Sequence, residues 1–263
     1  MENKLHFNFQ VPPAPSGPVV ELTASEAEKM LLKQLEAAAG DPRSALWQLA
    51  QFYKMNGQHE KALLRLRELM ALLPDPEQKA DCVFTMGQGM EKVGDYPNAI
   101  RYYREALALE PAGTFTWYFI HNNLGYSLNT LGQFSDGEDY CRRAIVIDPT
   151  RSSAYKNLGI ALSGHGRFPE AARAYVAATQ VNAADSRAFY LLQNLVQHHP
   201  ELEYEFRDST DFCRKAVEIA AKKLAGSQPK VYRGWRKQWL LLKCRIKRFL
   251  HRGPNDMKQH ART

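Results

Sequence analysis

Large apolar residues recur along this chain on a fixed ruler. In four stretches a leucine or methionine is followed directly by a small residue: Leu49-Ala50, Met86-Gly87, Leu124-Gly125 and Leu158-Gly159. Thirteen positions after the first member of each pair stands another small residue, at Ala62, Ala99, Gly137 and Ala171. Twelve further on come Pro74, Pro111 and Pro149, with Ala183 breaking the series. A glycine falls between the first two marks every time, at Gly57, Gly94, Gly132 and Gly166. The ruler predicts two helices per stretch. Glycine ends the first, because it adopts the left-handed conformation cheaply, and proline keeps the second from continuing. Small residues on facing helices let the backbones approach closely, while Tyr103, Cys141 and Tyr175 fill the space beyond the contact. Distances inside each stretch are constant, whereas those between stretches run 37, 38 and 34, which places the additional residues in the linkers. Such self-similarity marks stacked units, none of which can bury its apolar stripe alone.

The residues on this ruler resemble the tetratricopeptide repeat, whose pattern is W-x2-L-G-x2-Y, then A-x3-F, then P, at a period of 34. The stretch holding Tyr155, Leu158, Gly159, Leu162, Gly166, Phe168, Ala171 and Tyr175 fits best, and the other three keep most of the same positions. The resemblance implies an all-α fold, a right-handed superhelical solenoid of antiparallel helix pairs with a concave groove lined by the first helices. It also implies the groove positions: one and two before each leucine, two and five after it. These include Trp47, Gln51 and Lys54; Phe84, Gln88 and Glu91; Asn122, Asn123, Tyr126 and Asn129; and Lys156, Asn157 and Ile160. Amides both donate and accept, so they can bond a peptide backbone without reading its side chains. Trp47, Phe84 and Tyr126 add the large apolar area typical of interface hot spots. Family members that hold acidic C-terminal tails of chaperones use a clamp of Lys, Asn and Arg. Only Lys156 with its Asn neighbours matches part of that clamp, and no Arg completes it, so that partner is not expected here.

Outside the repeats the pattern changes. Residues 1–20 read as a flexible arm ending in the run Pro12-Pro13-Ala14-Pro15-Ser16-Gly17-Pro18. Before the prolines, Leu5, Phe7, Phe9 and Val11 alternate with polar residues at strand period, which suits a short peptide that docks on a groove or a sheet edge. Residues 21–42 read as a capping helix opened by a capping box at Thr23 and Glu26, running to about Ala39 and closed by Gly40. Residues 43–185 hold the four repeats, and 186–225 a degenerate fifth hairpin. In that hairpin a first helix over Ser186–His199 is followed by a loop around Pro200 and a helix from about Asp211 to Ala225.

Charge then separates the end of the chain from the rest. The formal net charge is +7, but residues 226–263 carry eleven Lys and Arg against the single acid Asp256, which leaves the solenoid mildly acidic. Within this basic segment Val231, Tyr232, Trp235, Trp239, Leu242, Ile246, Phe249 and Leu250 fall on one helical stripe. Arg236, Lys237, Lys243, Arg245, Lys247 and Arg248 occupy the remainder, and Gly253-Pro254 ends the helix. Two readings stand side by side: a cap on the last hairpin, or a basic amphipathic helix that meets an anionic membrane, an acidic partner or nucleic acid.

Catalytic and metal chemistry find little footing. The chain has no Walker-type loop, no G-x-G-x2-G, no G-x-S-x-G and no H-E-x2-H. His198-His199 reads as a helix-end pair and His121 as a packing residue. Cys82, Cys141, Cys213 and Cys244 are far apart and read as structural thiols of a reducing compartment. No secretory signal is expected from the first twenty residues, and no stretch of 18 apolar residues occurs in the sequence. The expectation is therefore a cytoplasmic, non-enzymatic scaffold or adaptor, peripheral to a membrane if the tail binds one. It would take a protein or peptide partner in the groove, without cofactor, metal or small-molecule substrate. The alternative is a binder of anionic membrane or nucleic acid that acts through its basic C-terminal helix.

Overall fold

The computed structural model describes residues 23–38, 40–111 and 114–227. Within them the chain runs through α1 (Ala24–Ala37), α2 (Arg43–Met55), α3 (His59–Leu72), α4 (Pro76–Val93), α5 (Tyr96–Ala108) and α6 (Thr114–Thr130). It continues through α7 (Phe134–Ile147), α8 (Ser152–Gly164), α9 (Phe168–Val181), α10 (Arg187–His198) and α11 (Glu203–Ser227). Helices α2 to α9 form four stacked hairpins, and α10 with α11 forms a fifth. Gly57, Gly94, Gly132 and Gly166 all take positive φ, between 72° and 86°, at the turns inside the four hairpins. That conformation is strained for any residue with a Cβ.

The helix contacts are those the ruler specified. A Cβ built on Gly87 would lie 2.5 Å from the Tyr103 ring, and one on Gly125 would lie 2.5 Å from the Cys141 sulfur. One on Gly159 would strike the Tyr175 ring. The apolar core follows the stack. One cluster joins α2 through α6, including Leu66, Met86, Tyr103 and Leu124, and a second joins α7 through α11. At the front, Ala27 and Leu31 of α1 pack on Leu49, Phe52 and Tyr53, covering the first hairpin. Thr23 and Glu26 form the expected capping box.

Three expectations about boundaries need correction. The extra residues between stretches do not lengthen linkers. They extend the first helices, since α4 and α6 start ten residues before Met86 and Leu124, whereas α2 and α8 start six before Leu49 and Leu158. Local chemistry favours the extra turn in α4, where the Asp75 side chain accepts from the Glu77 N–H at 3.2 Å and Pro76 supplies a fixed φ at the first helical position. Helix α1 stops at Ala37 rather than near Ala39, because the Ala38 N–H already turns back to the carbonyls of Gln34 and Leu35. Helix α11 begins at Glu203, eight residues before Asp211. Pro200–Leu202 forms a single 3-10 turn, and the acids read as loop, Glu203 and Glu205, sit in the first helical turn, where carboxylates are stabilised by the helix dipole.

Candidate functional site

The first helices α2, α4 and α6 present a cleft of about 530 Å³ on the groove side. Lys54 from α2, Gln88 and Glu91 from α4, and Asn123 and Tyr126 from α6 line it. The i, i+3 and i+4 spacing of the helix brings these side chains onto one face, and stacking places the faces side by side. Lys54 Nζ donates to Gln88 Oε1 at 3.1 Å, tying α2 to α4 across the floor. A chain of three groups ties α4 to α6: Asn123 Nδ2 donates to the Tyr103 hydroxyl at 3.3 Å, and that hydroxyl donates to Glu91 Oε2 at 2.8 Å. Tyr126 meets the ring of Tyr96 edge-on, with centroids 6.1 Å apart.

Sequence reasoning missed Met55, Lys92 and Tyr96, which also line the cleft. Lys92 and Met55 stand four residues after the predicted Gln88 and Gln51, so a strict helical reading would have reached them. Tyr96 belongs to the start of a second helix, and nothing in the first-helix pattern points to it.

Three of the predicted groove amides serve a different purpose. Asn157 is only 2% exposed, and Asn122 and Asn129 are also buried. Asn157 Nδ2 donates to Asn122 Oδ1 at 3.1 Å, and Asn129 Nδ2 donates to the Asn157 carbonyl at 2.8 Å. These bonds staple α6 to α8, so the amides are spent between helices and are not open to a partner. Asn123, by contrast, is half-buried and lines the cleft. Trp47 and Phe84 are half-buried and lean on the first core cluster, and Ile160 leans on the second. Replacing Asn157 with Ala is accordingly expected to destabilise the fold by about 1 to 3 kcal/mol, the range for orphaning buried partners. A denaturant melt of Asn157→Ala that matches the parent would remove the staple from the list of contributors.

Burial also shapes the charges. The Glu91 carboxyl is pushed up from its ordinary range by burial, against the hydrogen bond from Tyr103. The ammonium groups of Lys54 and Lys156 are pushed down, again chiefly by burial. The charge of Arg187, at the start of α10, depresses Lys156 further, and that of Asp185 opposes it. The Arg187 guanidinium is already held by both oxygens of Asp185, at 2.7 and 2.6 Å.

The remaining candidates are structural. His121 is buried, with Nδ1 2.9 Å from the Trp117 carbonyl and its ring 5.2 Å from that of Trp117. Burial pushes its pKa down, against the hydrogen bond to the Trp117 carbonyl. His199 stacks on Phe168 at 3.6 Å. Cys82, Cys141 and Cys213 are buried and unpaired, and burial pushes the first two thiols up to about 12, far from nucleophilic thiolates. No helix among the described residues is long and apolar enough to cross a membrane. Arg236, Lys237, Lys243, Arg245, Lys247 and Arg248 lie outside the described residues, as do Cys244 and the arm over residues 1–20.

Stacked two-helix units with glycine-ended first helices and a polar, aromatic-lined inner face define a helical-repeat solenoid. The family model for the tetratricopeptide repeat matches residues 84–152 and 156–192, and this part of the chain is built of tetratricopeptide repeats. It is similar to small glutamine-rich tetratricopeptide repeat-containing protein 2 of Mycosarcoma maydis, with 32% identity over 107 residues that make up 41% of this chain and 29% of that protein. The chain thus spans less than a third of that curated relative. Among solved structures it is similar to BtubC from P. vanneervenii, at 18% identity and a TM-score of 0.59, covering 80% of this chain and 93% of that one. It is also similar to YrrB, described as a TPR protein with an unusual peptide-binding site, at 20% identity and a TM-score of 0.53, covering 74% and 99%. These structural likenesses concern the fold.

Proposed function

We propose that this chain is a non-enzymatic interaction scaffold whose groove holds an extended or helical segment of a protein partner. The observation that carries the reading is the cleft shared by α2, α4 and α6, where Lys54 of α2 stands beside the amides of Gln88 and Asn123 and the ring of Tyr126 on α4 and α6. Gln88 and Asn123 can bond a partner's backbone, and Tyr126 offers an amphipathic ring of the kind that anchors interfaces. Lys54 and Lys92 flank them, favouring a segment with a carboxylate near its anchor. The description of YrrB as a peptide-binding repeat protein of the same fold supports the reading.

The test is affinity capture from lysate with the full chain and with Gln88→Ala combined with Tyr126→Ala. Truncating an interface hot spot costs about 2 kcal/mol or more, which is roughly a thirtyfold loss of affinity. The same two substitutions, on half-buried groove positions, should leave the melting temperature close to the parent's. Undiminished capture of every partner by the double variant would remove the groove as the binding site.

A further inference from the structure

Helix α11 has two unlike sides. Phe206, Thr210 and Cys213 are buried toward α9 and α10, and Val217 packs with them. On the opposite side Tyr204, Asp208, Phe212, Lys215, Ile219 and Lys223 fall within about 100° of one another at helical spacing. All six are exposed, Tyr204 at 93%, Phe212 at 56% and Ile219 at 54%. The two halves of the helix carry opposite charge. From Glu203 to Arg214 there are four acids against two bases, and from Lys215 to Ser227 three lysines against one acid. Most acids of the first half are already held: Glu203 by Arg207 at 3.7 Å, Glu205 by Arg173 at 2.9 Å and Asp211 by Arg214 at 2.5 Å. Asp208 and Lys223, on the exposed side, have no ion-pair partner among the described residues.

We propose that α11 pairs antiparallel with α11 of a second copy of this chain. Charge selects this occupant. Antiparallel pairing about a two-fold axis lays the acidic half of each helix against the basic half of the other, whereas parallel pairing would set like against like. The positions fix a register. With the axis between Lys215 and Ala216, Asp208 stands opposite Lys223 of the second copy and Phe212 stands opposite Ile219, and the symmetry makes each contact twice. Lys215, close to the axis, comes beside Glu218 of the second copy, which offsets the approach of the two lysines. The apolar pairs lie at the centre and the Asp208–Lys223 pairs at the rim, the usual order of an interface. No residue of α11 lines the cleft of α2, α4 and α6, so the pairing surface is separate from the groove and joins two grooves in one particle.

Sedimentation velocity of the full chain across the micromolar range tests this, since a contact one helix wide is at the small end of specific interfaces. The parent should pass from monomer to dimer with rising concentration and form nothing larger, because a two-fold contact closes on itself. Asp208→Lys alone and Lys223→Asp alone should each weaken dimerisation at least about tenfold, each placing two like-charge pairs across the interface. Mixed in equal amounts, the two variants should dimerise within about threefold of the parent, because the mixed dimer restores both pairs. Both positions are exposed, so each variant should melt near the parent. If either melts early, Phe212→Ser makes the comparison, and undiminished dimerisation in it would overturn the proposal. So would a parent that stays monomeric or grows beyond a dimer, a dimer indifferent to either reversal, or parent-like variants that fail to associate when mixed.

Discussion

Gly125→Leu is expected to cost the fold about 3 kcal/mol, the upper part of the range for overpacking, and to lower the melting temperature by roughly 6 to 12 °C. The reason lies in what surrounds this position. A Cβ there would sit 2.5 Å from the Cys141 sulfur, 3.1 Å from the Gly137 carbonyl oxygen and 3.3 Å from the Cys141 amide nitrogen. Two of those three atoms are backbone and cannot rotate away, so relief requires α6 and α7 to separate. Separation would in turn expose Leu124 and Leu128, which are fully buried. Gly40→Ala provides the contrast, since an added Cβ there meets nothing within 4 Å. A thermal scan should show the first variant melting early and the second near the parent. Parent-like melting of Gly125→Leu would mean that α6 and α7 do not cross at this glycine and that the repeat register is misplaced.

The same contacts show how much of the structure was legible in the sequence. Residues fixed by helix-to-helix distance, such as Gly87, Gly125 and Gly159 with Tyr103, Cys141 and Tyr175, were readable because close approach allows few residue types and the spacing repeats. Side chains at the groove were less readable. Asn123 and Asn157 occupy equivalent positions in consecutive repeats, yet one is half-buried beside the cleft and the other is sealed between α6 and α8. Composition cannot separate them, because an amide suits either a buried staple or an open binding surface. The difference comes from neighbours on another helix, Asn122 and Asn129, whose partners are fixed only once the stack is formed. The start of α11 escaped for a related reason. A proline and several acids in a row resemble a loop in composition, whereas acids after a proline also suit a helix N-terminus. Tyr96 reaches the cleft from a second helix, where the first-helix ruler does not apply.

Tyr103 joins the core to the groove, so its substitution should separate the two contributions. It is fully buried, fills the space beside Gly87 and holds Glu91 and Asn123 through its hydroxyl. Tyr103→Ala should cost about 3 to 5 kcal/mol, as expected for removing a buried ring, enough to threaten the whole second hairpin. Tyr103→Phe keeps the ring and removes only the hydroxyl, at a cost of about 1 to 3 kcal/mol for leaving buried polar partners unmatched. The Phe variant also carries a pH signature. Burial raises the Glu91 pKa above its ordinary value of 4.5, so the folded chain favours the protonated form there. Stability from this group is therefore complete below about 4.5 and is lost as pH rises through the folded pKa. The hydroxyl of Tyr103 favours the charged carboxylate, and removing it raises the folded pKa further and enlarges that loss. Denaturant melts of parent and Tyr103→Phe between pH 4.5 and pH 8 should accordingly show the smallest gap at the acid end and a widening gap toward neutrality. A gap that narrows with rising pH would show that the Glu91 carboxylate is stabilised by another group, with Ser127 of α6 and Lys156 of α8 the candidates, and that the hydroxyl of Tyr103 only fills space.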